Sequence, residues 1–204
     1  MEKREYFYPI WLRTWHFFNA LLFLVLIATG LSMQYTSPDT ALINFNVAVW
    51  LHNICGIALT VNYTFFAIGN MITGNWKQYM PGKGFIKNSI TQAMWYSIGI
   101  FKNKPKPFAI NLKTKFNPLQ QIAYAAIMYL LLPVFLISGW GLLFPDILFT
   151  KVFGLNALWL TDVVHIVFGF FLSIFMFGHL YMNTIGTTMT SNFKAMKSGW
   201  HDVH

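Results

Sequence analysis

Cysteine is almost missing from this chain, with Cys55 the only one. A disulfide framework, an iron–sulfur cluster and a Cys-rich zinc site are thereby excluded within the chain. No Cys-x-x-Cys-His stretch occurs either, so the thioether links of a c-type cytochrome cannot form. Charge is also scarce. Charged residues make up 10% of the 204, against about a quarter in ordinary globular domains, and the mean hydropathy is +0.50. A soluble domain is excluded on that basis, and the length suits one compact domain, 1–204, without a separate catalytic module. No cleavable signal pattern is evident. Met1 to Arg13 is mixed polar and aromatic, and no small-residue cleavage site follows the first apolar run, which is therefore expected to be a permanent span.

What the chain has instead is long stretches without charge. Thr14 to Pro38, Thr40 to Trp76, Phe116 to Pro145 and Val163 to Phe193 contain no Asp, Glu, Lys or Arg. A span needs roughly 20 apolar residues, so four helices are expected at about 15–35, 42–72, 118–144 and 156–184. The expected fold is all-α, an integral membrane four-helix bundle. The second gap has no turn signal in its middle, which favours one tilted helix over two spans. No Asp, Glu or Lys is expected inside a span, so no proton wire and no proton pumping are expected.

The few charges are sorted by side. Lys3, Arg4 and Arg13 precede the first span, and Lys194 and Lys197 follow the fourth. Between the second and third spans, the loop 73–117 carries Lys77, Lys83, Lys87, Lys102, Lys104, Lys106, Lys113 and Lys115 without one acidic residue. Lys151 alone falls on the other side, with Asp39, Asp146 and Asp162. By the positive-inside rule both termini and the Lys-rich loop are cytoplasmic. The pI near 9.6 thus reflects topology and anionic headgroups. The arginine richness and base-stacking pattern of a nucleic-acid site are lacking.

Ionisable groups inside a membrane are costly and by default functional. His201 and His204 belong to a polar tail, expected to be solvated, while His16, His52, His165 and His179 fall in spans. Taken singly, each fits a satisfied packing histidine. As a set they have a pattern. His165 and His179 are 14 residues apart, which is close to four helical turns, so they share a face and differ by roughly 21 Å in depth. The alternating direction of the helices brings His16 to the level of His179 and His52 to that of His165. Two pairs at two depths suit bis-imidazole ligation of two stacked hemes.

Gly30, Gly56, Gly139, Gly141, Gly169 and Gly178 lie on the spans, with Gly56 and Gly169 one turn beyond His52 and His165. A flat macrocycle needs such positions, although small-residue helix packing explains them equally. A zinc or non-heme iron site is disfavoured, because the pairs are too far apart to share one ion and no intramembrane carboxylate is expected to complete either.

Several stretches resemble the bacterial di-heme cytochrome b subunits of membrane-bound reductases, nickel–iron hydrogenases and formate dehydrogenases. These are Arg13-Thr-Trp-His16-Phe-Phe-Asn19-Ala, Thr29-Gly30, Phe116-Asn117-Pro118-Leu-Gln-Gln-Ile-Ala-Tyr124, and His165 and His179 with their interval. His179-Leu-Tyr-Met-Asn-Thr-Ile-Gly186 and Lys194-Ala-Met-Lys-Ser-Gly199-Trp200 complete the match. The closest resemblance is to the thiosulfate-reductase-type branch. It implies one heme on the first and fourth helices, through His16 and His179, and a second on the second and fourth, through His52 and His165. It also implies a menaquinone or ubiquinone site near the cytoplasmic heme, for which Asn117 and Gln121 are candidates. Asn117-Pro118 reads equally as a helix cap followed by a first-turn proline. Arg13, and Lys194 with it, could pair with heme propionates or snorkel to headgroups.

The expected function is electron transfer across a bacterial inner membrane between quinone and a redox subunit on the outer face. That subunit would be an iron–sulfur protein, a hydrogenase small subunit or a multiheme cytochrome. Two rivals stand beside it: a stand-alone transmembrane reductase of cytochrome b561 type, and a heme-free membrane anchor.

Overall fold

The computed structural model describes residues 3–37, 42–112, 114–147, 150–186 and 188–203. Asp39, Lys113 and His204 lie outside them. Among the described residues four helices are long and apolar enough to cross a membrane: Ile10–Tyr35 (α1), Phe45–Ile72 (α2), Pro118–Leu143 and Ala157–Asn183 (α6). The protein is mostly helical and multi-pass, as the charge-free gaps require. Shorter elements are β1 (Lys3–Tyr6), α3 (Phe85–Met94), β2 (Lys151–Val152), β3 (Leu155–Asn156), α7 (Ser191–Ser198) and β4 (Trp200–Val203).

The third span is built from α4 (Pro118–Ala126) and α5 (Leu132–Leu143), joined by a π turn at Ile127–Leu131. The cause lies in the sequence. Pro133 has no N–H to donate and its ring crowds the carbonyl four residues earlier, which a widened turn relieves. At the head of α4, Asn117 Oδ1 accepts from Gln120 N at 2.9 Å and Gln120 Oε1 accepts from Asn117 N at 3.1 Å, a complete capping box with Pro118 at the first turn.

Two boundary expectations need correction. The first helix starts at Ile10, five residues before the expected 15, because Arg13 is helical and does not mark a surface loop. Asp162 is inside α6, so a carboxylate does lie within a span. It is in the second turn, close to the helix end, where contact with water makes a charge affordable.

The chain divides into two compact units. Unit 1 comprises Met1–Arg13, Ile68–Leu130 and Tyr181–His204. Here β1 pairs antiparallel with β4, with Glu5 opposite His201 and Tyr6 opposite Trp200. The solvated tail expected from the sequence is therefore partly a strand, and the His201 ring lies 5.1 Å from that of Phe7. Phe7 is wholly buried. Its backbone N–H donates to Gly199 O at 2.9 Å, and its carbonyl accepts from Lys115 Nζ at 2.7 Å. Burial lowers the Lys115 ammonium pKa and pushes the Tyr8 phenol up to about 12. Asn70, almost fully buried, donates to the Tyr129 hydroxyl and accepts from Asn75 Nδ2 at 2.8 Å.

Unit 2 comprises Thr14–Ala67 and Leu131–Leu180. Its helices are joined by aromatic packing and a few polar bonds. Trp15 stacks on Phe66 at 4.2 Å, Asn62 Nδ2 donates to Asn19 Oδ1 at 3.3 Å, and Trp140 Nε1 donates to Thr60 Oγ1 at 3.0 Å. Between lipid-facing helices such bonds replace the hydrophobic drive that water would supply. Ser32 closes the α1–α2 connection by accepting from Ile43 N at 3.0 Å. The β2–β3 hairpin turns through Phe153 and Gly154, both at positive φ.

Gly199 is the strictest backbone position of unit 1. Its φ is +88°, and a Cβ there would stand 2.5 Å from Tyr6 Cε2 and 2.7 Å from Tyr8 O. Gly199→Ala should cost about 1–3 kcal/mol and loosen the β1–β4 pairing. Hydrogen exchange of the 200–203 amides is the check, and unchanged protection would contradict this role for the glycine.

Candidate functional site

All four transmembrane histidines belong to unit 2, on α1 (His16), α2 (His52) and α6 (His165 and His179). They stand in two pairs. The His16 and His179 ring centroids are 6.0 Å apart, and those of His52 and His165 are 6.2 Å apart, with interplanar angles of 53° and 75°. Direct hydrogen bonding of ring nitrogens is not what these distances describe. A metal–imidazole bond is about 2.0–2.1 Å and a ring nitrogen lies about 1.1 Å from its centroid. Two imidazoles on opposite sides of one metal ion therefore have centroids about 6.3 Å apart. Both pairs match that spacing.

The outer ring nitrogens of one pair are accounted for. Thr29 Oγ1 lies 2.9 Å from His52 Nδ1, and the same hydroxyl donates to Val25 O at 2.8 Å. With that hydrogen on the carbonyl, the oxygen is placed to accept from His52 Nδ1–H, as the Leu26 carbonyl also is. Ser138 repeats the arrangement. Its hydroxyl donates to Phe135 O at 2.8 Å and lies 3.0 Å from His165 Nδ1. Both arrangements suit a proton at Nδ1 and a lone pair on Nε2, the state in which neutral histidine binds a metal. In the other pair, His16 Nδ1 is buried and has no hydrogen-bond partner among the described residues.

Packing holds the rings in place. Phe135 stacks on His165 at 4.3 Å with an 11° tilt, and Phe175 lies 5.9 Å from His179. The glycines divide into three roles. A Cβ at Gly139 would stand 3.1 Å from His165 Cε1, and one at Gly30 3.5 Å from His52 Cε1, so both clear the ligand rings. At Gly169 a Cβ would come within 3.1 Å of Phe135 Cε2, so this glycine serves the phenyl that backs His165. Around Gly56 and Gly178 a Cβ would meet nothing within 4 Å.

The remaining sequence candidates are in unit 1. Arg13 donates to the Lys197 carbonyl, and Lys194 is exposed on α7. Asn117 Nδ2 donates to the Tyr96 hydroxyl at 3.0 Å while Oδ1 caps α4, and Gln121 Nε2 donates to Gln78 O at 3.3 Å. Both amides thus have structural partners. Thr29 and Ser138 were not singled out as site residues. Their signal was available, as hydroxyls in otherwise apolar spans, but the histidine each would serve lies on another helix.

Asp162 is three residues before His165 on α6 and so on the same face. Even so, among the described residues no group of three or more His, Cys, Asp or Glu could hold a metal ion. The donor set is two imidazoles, twice, which suits a metal already held in a macrocycle.

The sequence profile of the family described as prokaryotic cytochrome b561 matches residues 7–199. This chain belongs to that family. It is a membrane b-type cytochrome of electron transfer, and heme b is the group the family binds. The chain is also 36% identical over 200 residues to a protein of Escherichia coli (strain K12) named "Putative cytochrome YdhU". That similarity covers 98% of this chain and 75% of the relative. The paired imidazoles and their Nδ1 partners fit the heme that such a cytochrome carries.

Thr29→Val removes the hydroxyl that lies 2.9 Å from His52 Nδ1, a loss of about 1–3 kcal/mol. Thr29→Ser keeps the oxygen. The cytochrome should therefore unfold at a lower temperature with Val and near the parent temperature with Ser, and equal midpoints for all three would show that the hydroxyl does not orient the ring.

Proposed function

We propose that this cytochrome is a di-heme subunit of a membrane-bound respiratory oxidoreductase, passing electrons between the quinone pool and a redox partner on the outer face. The observation that carries the reading is the pairing of all four transmembrane histidines at 6.0 and 6.2 Å. His16 and His179 would hold one heme b, and His52 and His165 the other. Heme b supplies reversible one-electron chemistry at its iron.

The chain's own residues contribute ligation, basicity and packing. Thr29 and Ser138 accept the Nδ1 protons of His52 and His165, which fixes the tautomer and enriches Nε2 as a donor. Phe135 and Phe175 back the two rings on α6. On α6 the two ligands are 14 residues apart, about 21 Å along the helix. That interval supports two sites at different depths of one bilayer.

The remaining parts of the proposal rest on the sequence. The distribution of lysines supports a bacterial inner membrane with both termini cytoplasmic. The resemblance to the thiosulfate-reductase-type branch supports menaquinone or ubiquinone as the exchangeable substrate. It also supports an iron–sulfur protein, a hydrogenase small subunit or a multiheme cytochrome as the partner. Quinone contact at Asn117 and Gln121 rests on that resemblance alone, since hydrogen bonds within unit 1 already engage both side chains.

A stand-alone reductase is the second reading, favoured by the b561 designation the family carries. The two histidine pairs carried by the four candidate spans among the described residues support the first reading.

Heme quantitation tests the pairing. Two b hemes per chain are expected, one in His16→Ala and one in His52→Ala, and none in the double variant. One heme in the parent protein would remove one of the pairs. A quinol should reduce the hemes of the purified chain and ascorbate should not, whereas rapid reduction by ascorbate alone would favour the stand-alone reductase.

A further inference from the structure

The Lys-rich stretch between the second and third spans, expected from sequence to be a loop, contains a helical segment. α3 (Phe85–Met94) continues through a π turn, Trp95–Gly99, and a 3-10 turn, Ile100–Lys102, before Asn103 ends it in the left-handed region at φ 49°. Within unit 1 this segment packs along α4, the start of the third span. Its inward face is polar. Ser89 and Gln92 are buried, and the Tyr96 hydroxyl accepts from Asn117 at the head of α4.

The outward face is apolar. Ile86, Ile90, Met94, Ile98 and Phe101 follow one another at helical spacing and are all exposed, Ile86 to 63% and Phe101 to 80%. A helix between a protein and water has the opposite arrangement, apolar inside and polar outside. Inverted amphipathicity on a helix lying beside the start of a transmembrane span calls for an apolar surround at that level. The bilayer boundary supplies one without any further protein. Charge complements this. Lys83, Lys87, Lys102 and Lys104 border the apolar face at its two ends, and 73–117 contains no Asp or Glu to neutralise them.

We propose that Phe85–Lys102 is an in-plane membrane helix, inserted by its Ile86–Phe101 face into the interfacial layer of an anionic phospholipid leaflet. Apolar side chains enter the acyl boundary, and the flanking ammonium groups remain among lipid phosphates. The arrangement is independent of which histidines bind heme. It would anchor the head of α4 against the membrane surface through the Tyr96–Asn117 hydrogen bond.

The test uses the full chain with Cys55→Ser and a single new cysteine, Ile90→Cys or Met94→Cys, labelled with an environment-sensitive fluorophore. It is reconstituted in phosphatidylglycerol-containing or pure phosphatidylcholine vesicles. In phosphatidylglycerol, a nitroxide on the lipid acyl chain should abolish most of the emission and aqueous iodide should not. The protection from iodide should weaken in pure phosphatidylcholine and in Lys83→Gln/Lys87→Gln/Lys102→Gln. Quenching by iodide in phosphatidylglycerol would place the face in water and overturn the proposal. Protection from both quenchers would mean that protein covers it, and would also overturn it. Lipid quenching identical in all vesicles and variants would overturn the anionic selectivity.

Discussion

Holding a neutral imidazole in one orientation inside an apolar interior is the constraint on which unit 2 depends. An imidazole has two ring nitrogens, and each needs a partner or carries a desolvation cost. For His52 and His165 the partner of Nδ1 is a hydroxyl whose own hydrogen is already committed to a carbonyl of its helix. That arrangement suits a proton at Nδ1 without a charge. It leaves Nε2 as a lone-pair donor on the other edge of the ring. Smaller details follow from the same requirement, including Gly30 and Gly139 beside the rings and Phe135 stacked between Gly169 and His165.

Unit 1 solves a different problem. Its polar groups cluster where α2 ends and α4 begins, and they are used to tie backbone together. Lys115 reaches the Phe7 carbonyl, Arg13 the Lys197 carbonyl, and the Asn117 capping box reaches Tyr96. Arg13, Asn117 and Gln121, which drew attention as candidate ligand contacts, are in the structure partners of main-chain and side-chain groups nearby. Two histidines of one chain therefore have different fates. His165 is held ready to donate a lone pair, while His201 is packed on Phe7 in a strand.

Much of this architecture could be read from charge alone. A span cannot carry many charges, so four charge-free gaps delimited four helices, with ends correct to a few residues except where Arg13 is helical. The relation of His165 to His179 was equally legible, because both are on one helix and helical geometry is rigid. Other features were hidden for an identifiable reason. Loop 73–117 looked like a basic loop because lysines flank its apolar residues on both sides, and only the packing on α4 shows which side is inside. The β1–β4 pairing joins residues nearly two hundred positions apart, with no local pattern to announce it.

The sequence by itself determined the charge-free spans, the clustering of lysine between the second and third of them, and the interval between His165 and His179. These follow from composition and from the fixed rise of a helix. Tertiary structure alone decided which hydroxyl serves which imidazole, how far apart the paired rings stand, and whether a glycine clears a histidine or a phenylalanine. Each of those depends on the rotation of one helix about its axis relative to another. That rotation is set by side-chain packing between helices, and no spacing within a single helix encodes it.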